Sequence, residues 1–217
     1  MASSTAHNVG VTLSNDYFAL GLTHLAVRRM QRSLITKKRK KAGTNPTTEE
    51  CSSVYTIDVS SRSTAAARRV YDVLTDGASW PVWAPIDSFA LEGDDGVGPR
   101  TASGAPRGPQ GVGAVRMFRI GRYALHEQIV ALSPDRRLDY VMLGGLLRDY
   151  RASVELTPDP SGGTHIRWQA SFQPRVPGTG WLFHRVTRRY LGRMVHGLAA
   201  YAAAREADAP TTQAPDD

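Results

Sequence analysis

The 217-residue chain has a single cysteine, Cys51, and this scarcity excludes several classes of protein. One thiol can form neither a disulfide framework nor the thiolate set of a structural zinc site. No His-x-x-x-His pair and no carboxylate-rich spacing is present, and no glycine-rich phosphate loop leads into a helix. We therefore predict no metal and no cofactor, and a chain without disulfides is expected in the cytoplasm.

Long apolar runs are also missing. No stretch reaches the roughly 20 apolar residues that a membrane-spanning helix needs. The longest apolar stretch near the N-terminus, residues 17–27, is followed rather than preceded by basic residues. That order argues against a secretory signal peptide, in which the basic residues come first.

Lysine is absent outside one short run, and this makes the charge uneven. All four lysines lie within residues 37–41. Residues 1–53 carry eight Lys/Arg against three Asp/Glu, whereas the remainder carries nineteen against seventeen. The net charge of +7 therefore describes mainly a leader, which we predict to be disordered with one candidate amphipathic helix at 17–36.

Two interpretations of the leader stay open. In the first it has no function and is a solvated tail or an upstream stretch added by a misplaced start codon. In the second it contacts an anionic membrane surface through residues 17–41. Nothing in the sequence indicates specific nucleic-acid binding. The frequent use of Arg and Ala is typical of a high-GC bacterial gene, and the sequence leaves the oligomeric state open.

From Val54 onward the sequence consists of short segments in which apolar and polar residues alternate. β-branched residues at every second position predict strands, and Gly, Pro and Asp clusters between them predict hairpin turns. A helix is predicted at 65–74 with Ser63 or Thr64 as its cap, then a compact turn at 79–85 and a long surface loop at 93–113. The predicted strands are 54–60, 86–92, 114–120, 123–132, 137–143, 148–156 and 164–172.

The last element is a long amphipathic helix, predicted at 179–205. Its apolar stripe comprises Phe183, Val186, Tyr190, Met194, Leu198 and Tyr201. Seven antiparallel strands followed by one long helix predict an α+β fold whose sheet curls around that helix. We predict one domain at 54–205 and a disordered tail at 206–217.

Three segments resemble the SRPBCC superfamily, whose members are also called START-like or polyketide cyclase/dehydrase-like proteins. The matching positions are Asp76, Trp80 and Trp83, then Glu127, Pro134, Leu138 and Tyr140, and finally Gly162, Gly163, Thr164 and Trp168. The resemblance covers roughly residues 54–201. It implies a helix-grip fold with a cavity between the sheet and the C-terminal helix, where members bind lipids, sterols, polyketides or hormones.

The strand phases place many aromatic residues on the inner face. Tyr and Trp combine a large apolar body with one polar group, which suits a ligand pocket, although each can also simply fill the core. Glu127 shares its phase with Ile129, so it points inward and either orients a polar ligand group, acts as a general base, or pairs with a neighbouring Arg. The predicted ligand-binding residues are Trp83, Glu127, Tyr140, Tyr150, Trp168, Phe172, Tyr190 and Met194.

These observations leave three hypotheses for the function. The first is binding of a small hydrophobic molecule without catalysis, and no residue is assigned a catalytic role. The second is an enzyme of the cyclase/aromatase type, which would depend on cavity shape and on Glu127, Tyr140 and Tyr150. The third is a protein- or membrane-interaction module that uses the basic leader.

Overall fold

A computed structural model describes residues 53–92 and 110–208. The predicted leader, its membrane contact, most of the predicted loop at 93–113 and the end of the predicted tail lie outside these residues. Among the described residues no helix has the length and the apolar character to cross a membrane. The elements are β1 (Tyr55–Ser63), α1 (Ala67–Thr75), a 3₁₀ turn (Gly77–Ser79), α2 (Trp80–Trp83), β2 (Ser88–Glu92), β3 (Val115–Ile120), β4 (Tyr123–Ser133), β5 (Arg137–Met142), β6 (Leu147–Pro158), β7 (Thr164–Pro174) and α3 (Gly180–Ala207).

The seven strands form one antiparallel sheet in the order β1-β7-β6-β5-β4-β3-β2. Strands β3 to β7 follow one another as hairpins, because turn residues separate each apolar segment from the next, and β2 pairs with β3 at the sheet edge. Helices α1 and α2 carry the chain from β1 at one edge to β2 at the other. The predicted α+β architecture, a curved antiparallel sheet with a long C-terminal helix, is confirmed.

Helix α3 packs mainly on β1, β7 and α1. Two glycines allow this close approach, since a Cβ on Gly180 would overlap the Tyr55 ring and a Cβ on Gly197 would overlap the Trp83 carbonyl. The predicted stripe differs from the observed one. Val186, Tyr190 and Tyr201 are only half-buried, and the buried face consists of Phe183, Leu191, Met194, Val195, Leu198, Ala199 and Ala202. The helix contacts β1, β7, α1 and α2, so its buried face is wider than a single stripe.

The segment between β1 and β2 is more ordered than its sequence indicates. Helix α1 begins two residues later than predicted and has no side-chain cap. The Ser63 hydroxyl, predicted as a cap, donates instead to the Ala199 carbonyl of α3 at 2.8 Å. The predicted turn at 79–85 contains the short helix α2. Gln110, at the end of the predicted surface loop, is buried and its side-chain oxygen accepts a hydrogen bond from the Gly77 amide at 2.8 Å.

Candidate ligand site on the inner face of the sheet

Three neighbouring strands bring an unusual set of side chains to one row of the inner face. Arg116 on β3 lies opposite Glu127 on β4, and Glu127 lies opposite Met142 on β5. The two-residue turn Gly121-Arg122 fixes this register, because it joins Ile120 directly to Tyr123 as a pair. Phe118 and Ile120 share the phase of Arg116 on β3, and all three are buried. A charged pair is therefore enclosed among aromatic and aliphatic side chains.

The Arg116 guanidinium connects the sheet to the end of helix α1. One of its terminal nitrogens donates to a Glu127 oxygen, and the other donates to the Leu74 carbonyl at 3.3 Å. Its carbon atom Cζ lies 4.6 Å from the centroid of the Trp80 ring. The indole of Trp80 donates to the same Leu74 carbonyl at 3.1 Å. The cation thus interacts with a carboxylate, a helix C-terminal carbonyl and an aromatic face, each of which favours positive charge.

Both members of this pair keep polar capacity that the described residues do not use. The Arg116 Nε–H is buried and has no hydrogen-bond partner. One Glu127 oxygen binds Arg116, and no donor among the described residues reaches the other. Burial raises the pKa of the Glu127 carboxyl above its ordinary value, and the Arg116 charge offsets this only in part. Glu127 can therefore accept a hydrogen bond or a proton from a molecule beside it.

Two phenol hydroxyls on the inner face lie close enough to the Glu127 carboxylate to interact with it electrostatically. The Trp168 indole N–H donates to the Tyr140 oxygen at 3.2 Å, and the Tyr140 and Tyr150 hydroxyls are hydrogen-bonded to each other. Burial raises the pKa of Tyr150 and raises that of Tyr140 more strongly, and the Glu127 charge raises both further. Both phenols therefore remain neutral near pH 7.

This pair of phenols leaves one proton available. A hydrogen bond between two hydroxyls uses one of their two O–H groups, whichever of them donates, and the other O–H can still donate. The inner face thus offers a phenol donor and, at Glu127, an acceptor, close enough to interact electrostatically.

Five of the eight predicted ligand-binding residues come together here. Glu127, Tyr140, Tyr150, Trp168 and Phe172 are all buried on the inner face, and Phe172 stacks on Tyr150 with ring centroids 6.5 Å apart.

The other three lie on helices. Trp83 is half-buried and its indole N–H donates to Ser79 at 3.1 Å within the α2 segment. Tyr190 is half-buried and Met194 is buried on α3. The ligand-binding roles of all eight residues stay predictions.

Sequence reasoning missed Arg116. The residue occupies an inward phase in Val115–Ile120, between apolar neighbours at every second position. Alternation together with the two-residue turn would have placed an inward Arg opposite the inward Glu127. The expectation that arginines lie on the surface concealed that signal.

A cavity of about 430 Å³ opens at the end of the sheet where β5 turns into β6. The inward-facing residues Met142 and Tyr150 line it, together with Val141, Arg148, Asp149, Arg151 and Arg175. This volume falls within the range of small-molecule pockets. A second depression of about 660 Å³ lies against the polar outer face of the sheet and includes Arg137, Asp139, Ser153 and Gln169.

Comparison with known proteins agrees with this geometry. A family model described as polyketide cyclase / dehydrase and lipid transport matches residues 55–205. The chain belongs to this family. The predicted SRPBCC, or START-like, relationship is thereby confirmed. No curated protein matches the sequence.

Several solved structures align over most of the domain. A START superfamily protein from Mycobacterium smegmatis has a TM-score of 0.54 at 11% identity and covers 69% of this chain and 98% of that chain. A protein from Thermobifida fusca has a TM-score of 0.53 at 24% identity, covering 70% and 95%. A point mutant of norcoclaurine synthase from Thalictrum flavum, in complex with a transition-state analogue, has a TM-score of 0.54 at 12% identity, covering 70% and 96%. At these identities the likeness concerns the fold alone.

Proposed function

We propose that this domain binds a small hydrophobic molecule, a lipid or a polyketide-like compound, that carries a hydroxyl group. The observation that carries the proposal is unused polar capacity in an aromatic interior, namely the second Glu127 oxygen, which no donor among the described residues reaches, and the phenol proton left by the Tyr140–Tyr150 pair, which we assign to Tyr150. A buried polar group without a partner costs free energy, so a ligand that supplies the partner gains affinity. Family membership supports a hydrophobic ligand, and the single cysteine supports a cytoplasmic location.

The geometry also indicates how the ligand would lie. Its hydroxyl would donate to Glu127 and accept from Tyr150, since these two groups differ in hydrogen-bonding role. Its apolar body would contact Phe172 and Met142 and extend toward the cavity of about 430 Å³ that opens beside Tyr150. Met142 is half-buried and unbranched, so it can change rotamer to admit the ligand.

A matched pair of probes tests this function. Native mass spectrometry of the purified protein first identifies any molecule that stays bound. The chain is then titrated with 2-naphthol and with naphthalene, which differ only in the hydroxyl. We expect 2-naphthol to bind about 10-fold or more tightly than naphthalene, because hydrogen bonds to charged groups contribute about 1.5–3 kcal/mol. Equal affinities, or no binding of either probe, would contradict the proposal.

A second candidate function is catalysis of the cyclase/aromatase type. It is favoured by one observation, the raised pKa of the buried Glu127 carboxyl beside a phenol donor. A general base with a raised pKa and a donor for a carbonyl oxygen are the two groups that enolisation of a polyketide-like ketone requires. A Glu127→Gln variant that keeps binding but loses turnover would identify this function.

A further inference from the structure

Apolar side chains are exposed at one end of the sheet. At this end β5 finishes and β6 begins, and the β5–β6 turn exposes Leu143 and Leu146 by 45% and 39%. Large apolar residues exposed singly are normal, but a group of them at one end marks a contact surface.

Helix α3 starts at the same end and adds the most exposed tryptophan. Gly180 packs against the Tyr55 ring, and Tyr55 pairs with Phe172 near the end of β7. Trp181 follows directly and is 64% exposed. Arg175 links this region to the β5–β6 turn, because its Nε donates to the Gly145 carbonyl at 2.7 Å.

The charge around these apolar side chains is mainly positive, although the exposed Asp149 also lines the cavity there. Helix α3 contains no acidic residue before Glu206, whereas surfaces of ordinary proteins mix both signs. Arg185 and Arg188 follow Trp181 at positions i+4 and i+7, so they extend from Trp181 along one face of the helix, and both are exposed. No carboxylate among the described residues lies within ion-pair distance of Arg175, Arg185 or Arg188. A partner that supplies negative charge and an apolar phase would therefore complement these Arg, Leu and Trp side chains.

We propose that this end of the domain docks on an anionic lipid surface through a rim that comprises Leu143, Leu146, Arg175, Trp181, Arg185 and Arg188. Trp is favoured at the boundary between lipid headgroups and acyl chains, and Arg binds the headgroup phosphates. The cavity of about 430 Å³ opens among the same elements, with Arg175 in its wall. A docked rim would bring that cavity close to the membrane. The docking does not depend on the proposed function and can be tested without a ligand.

The fluorescence of Trp181 can report docking without an added label. Trp80 and Trp168 are fully buried and Trp83 is half-buried, so Trp181 is the tryptophan that a lipid can reach most easily. The full chain is mixed with vesicles of phosphatidylglycerol and brominated phosphatidylcholine, and emission quenching is compared with a Trp181→Phe variant. We expect strong quenching in the parent chain and little in the variant. Equal quenching in the two chains, or none in the parent, overturns the proposal.

Further variants and vesicle cosedimentation distinguish docking through the rim from binding through the basic leader. Changing the four lysines within 37–41 to Gln should leave Trp181 quenching in place, and quenching that disappears with the lysines overturns the rim as the docking surface.

Arg185→Gln with Arg188→Gln should weaken binding to anionic vesicles about fivefold for each Arg, because each basic residue near such a surface contributes about that factor. Val82→Ser, at an exposed apolar residue on α2, is the matched control and should bind like the parent. Undiminished binding in the double Arg variant, or equal binding to pure phosphatidylcholine vesicles, also overturns the proposal.

Discussion

Helix α3 covers β1 and β7 with apolar side chains, whereas the inner face of β3 to β6 carries an ion pair and two phenols. Under the helix, residues such as Leu198 and Ile166 are fully buried. In the other half, Arg116 and Glu127 are also buried, and no partner among the described residues reaches the Arg116 Nε–H or the second Glu127 oxygen. Apolar packing accounts for the first half, apart from hydrogen bonds such as that of Ser63 to Ala199. The second half holds groups that cost free energy when buried alone, so it is the half in which function is expected.

The largest expected effect comes from a variant that removes one member of the buried Arg116–Glu127 ion pair. Arg116→Met leaves a buried carboxylate without its cation, and we expect it to lower the free energy of unfolding by about 3–5 kcal/mol in chemical denaturation. The double variant Arg116→Met with Glu127→Leu should recover most of that loss, because a hydrophobic pair can replace a buried ion pair.

An exposed ion pair gives the matched control. Arg167 and Asp58 form a pair in which both side chains are nearly half exposed. Arg167→Met should cost no more than about 1 kcal/mol. If Arg116→Met proved as mild as Arg167→Met, or if the double variant were no more stable than the single one, the pair would not have the energetic role that its burial indicates.

The polar half was only partly predictable from sequence. Period-2 alternation placed Glu127, Tyr140 and Trp168 on the inner face, because strand periodicity fixes which side chains share a face. It could not show the Tyr140–Tyr150 hydrogen bond, since that contact depends on rotamers across two strands. Arg116 was missed because burial of a lone cation is unfavourable, and only the pairing of two strands reveals its partner.

The apolar half was harder to predict in detail. A helix stripe drawn from sequence assumes one partner surface, but α3 meets two strands and α1 together. Leu191, Val195 and Ala199 therefore replace Val186, Tyr190 and Tyr201 in the buried face. The approach of Gly197 to the Trp83 carbonyl also lies beyond local sequence, since it joins residues far apart in the chain.

The second test measures the pH dependence that Glu127 imposes on stability. Burial raises the pKa of its carboxyl in the folded state, so the folded chain binds this proton more tightly than the unfolded chain does. The contribution is fully present below the unfolded pKa of about 4.5 and is lost as the pH rises through the folded value. Relative to Glu127→Gln, the parent should therefore lose stability on going upward from about pH 4.5, by about 1.4 kcal/mol for each unit of pKa difference.

Denaturant melts of the parent and of Glu127→Gln at several pH values give this difference directly. Comparing the two chains removes the effect of every other titrating group, which both share. A parent that gains stability over Glu127→Gln as the pH rises would show a folded pKa below 4.5 and would contradict desolvation as the dominant influence on this carboxyl.

The smallest expected effect concerns the Tyr150 hydroxyl, the donor of the proposed site. Tyr150→Phe removes one neutral hydrogen bond to a bound hydroxyl, which is worth about 0.5–1.5 kcal/mol. The preference for 2-naphthol over naphthalene should therefore fall about 3- to 10-fold, while the affinity for naphthalene itself changes little. Tyr201→Phe removes a phenol hydroxyl from a half-buried position on α3 and should leave the preference unchanged. If the two variants altered the preference equally, the polar half of the sheet would not be where the hydroxyl is bound, even if both probes bind the protein.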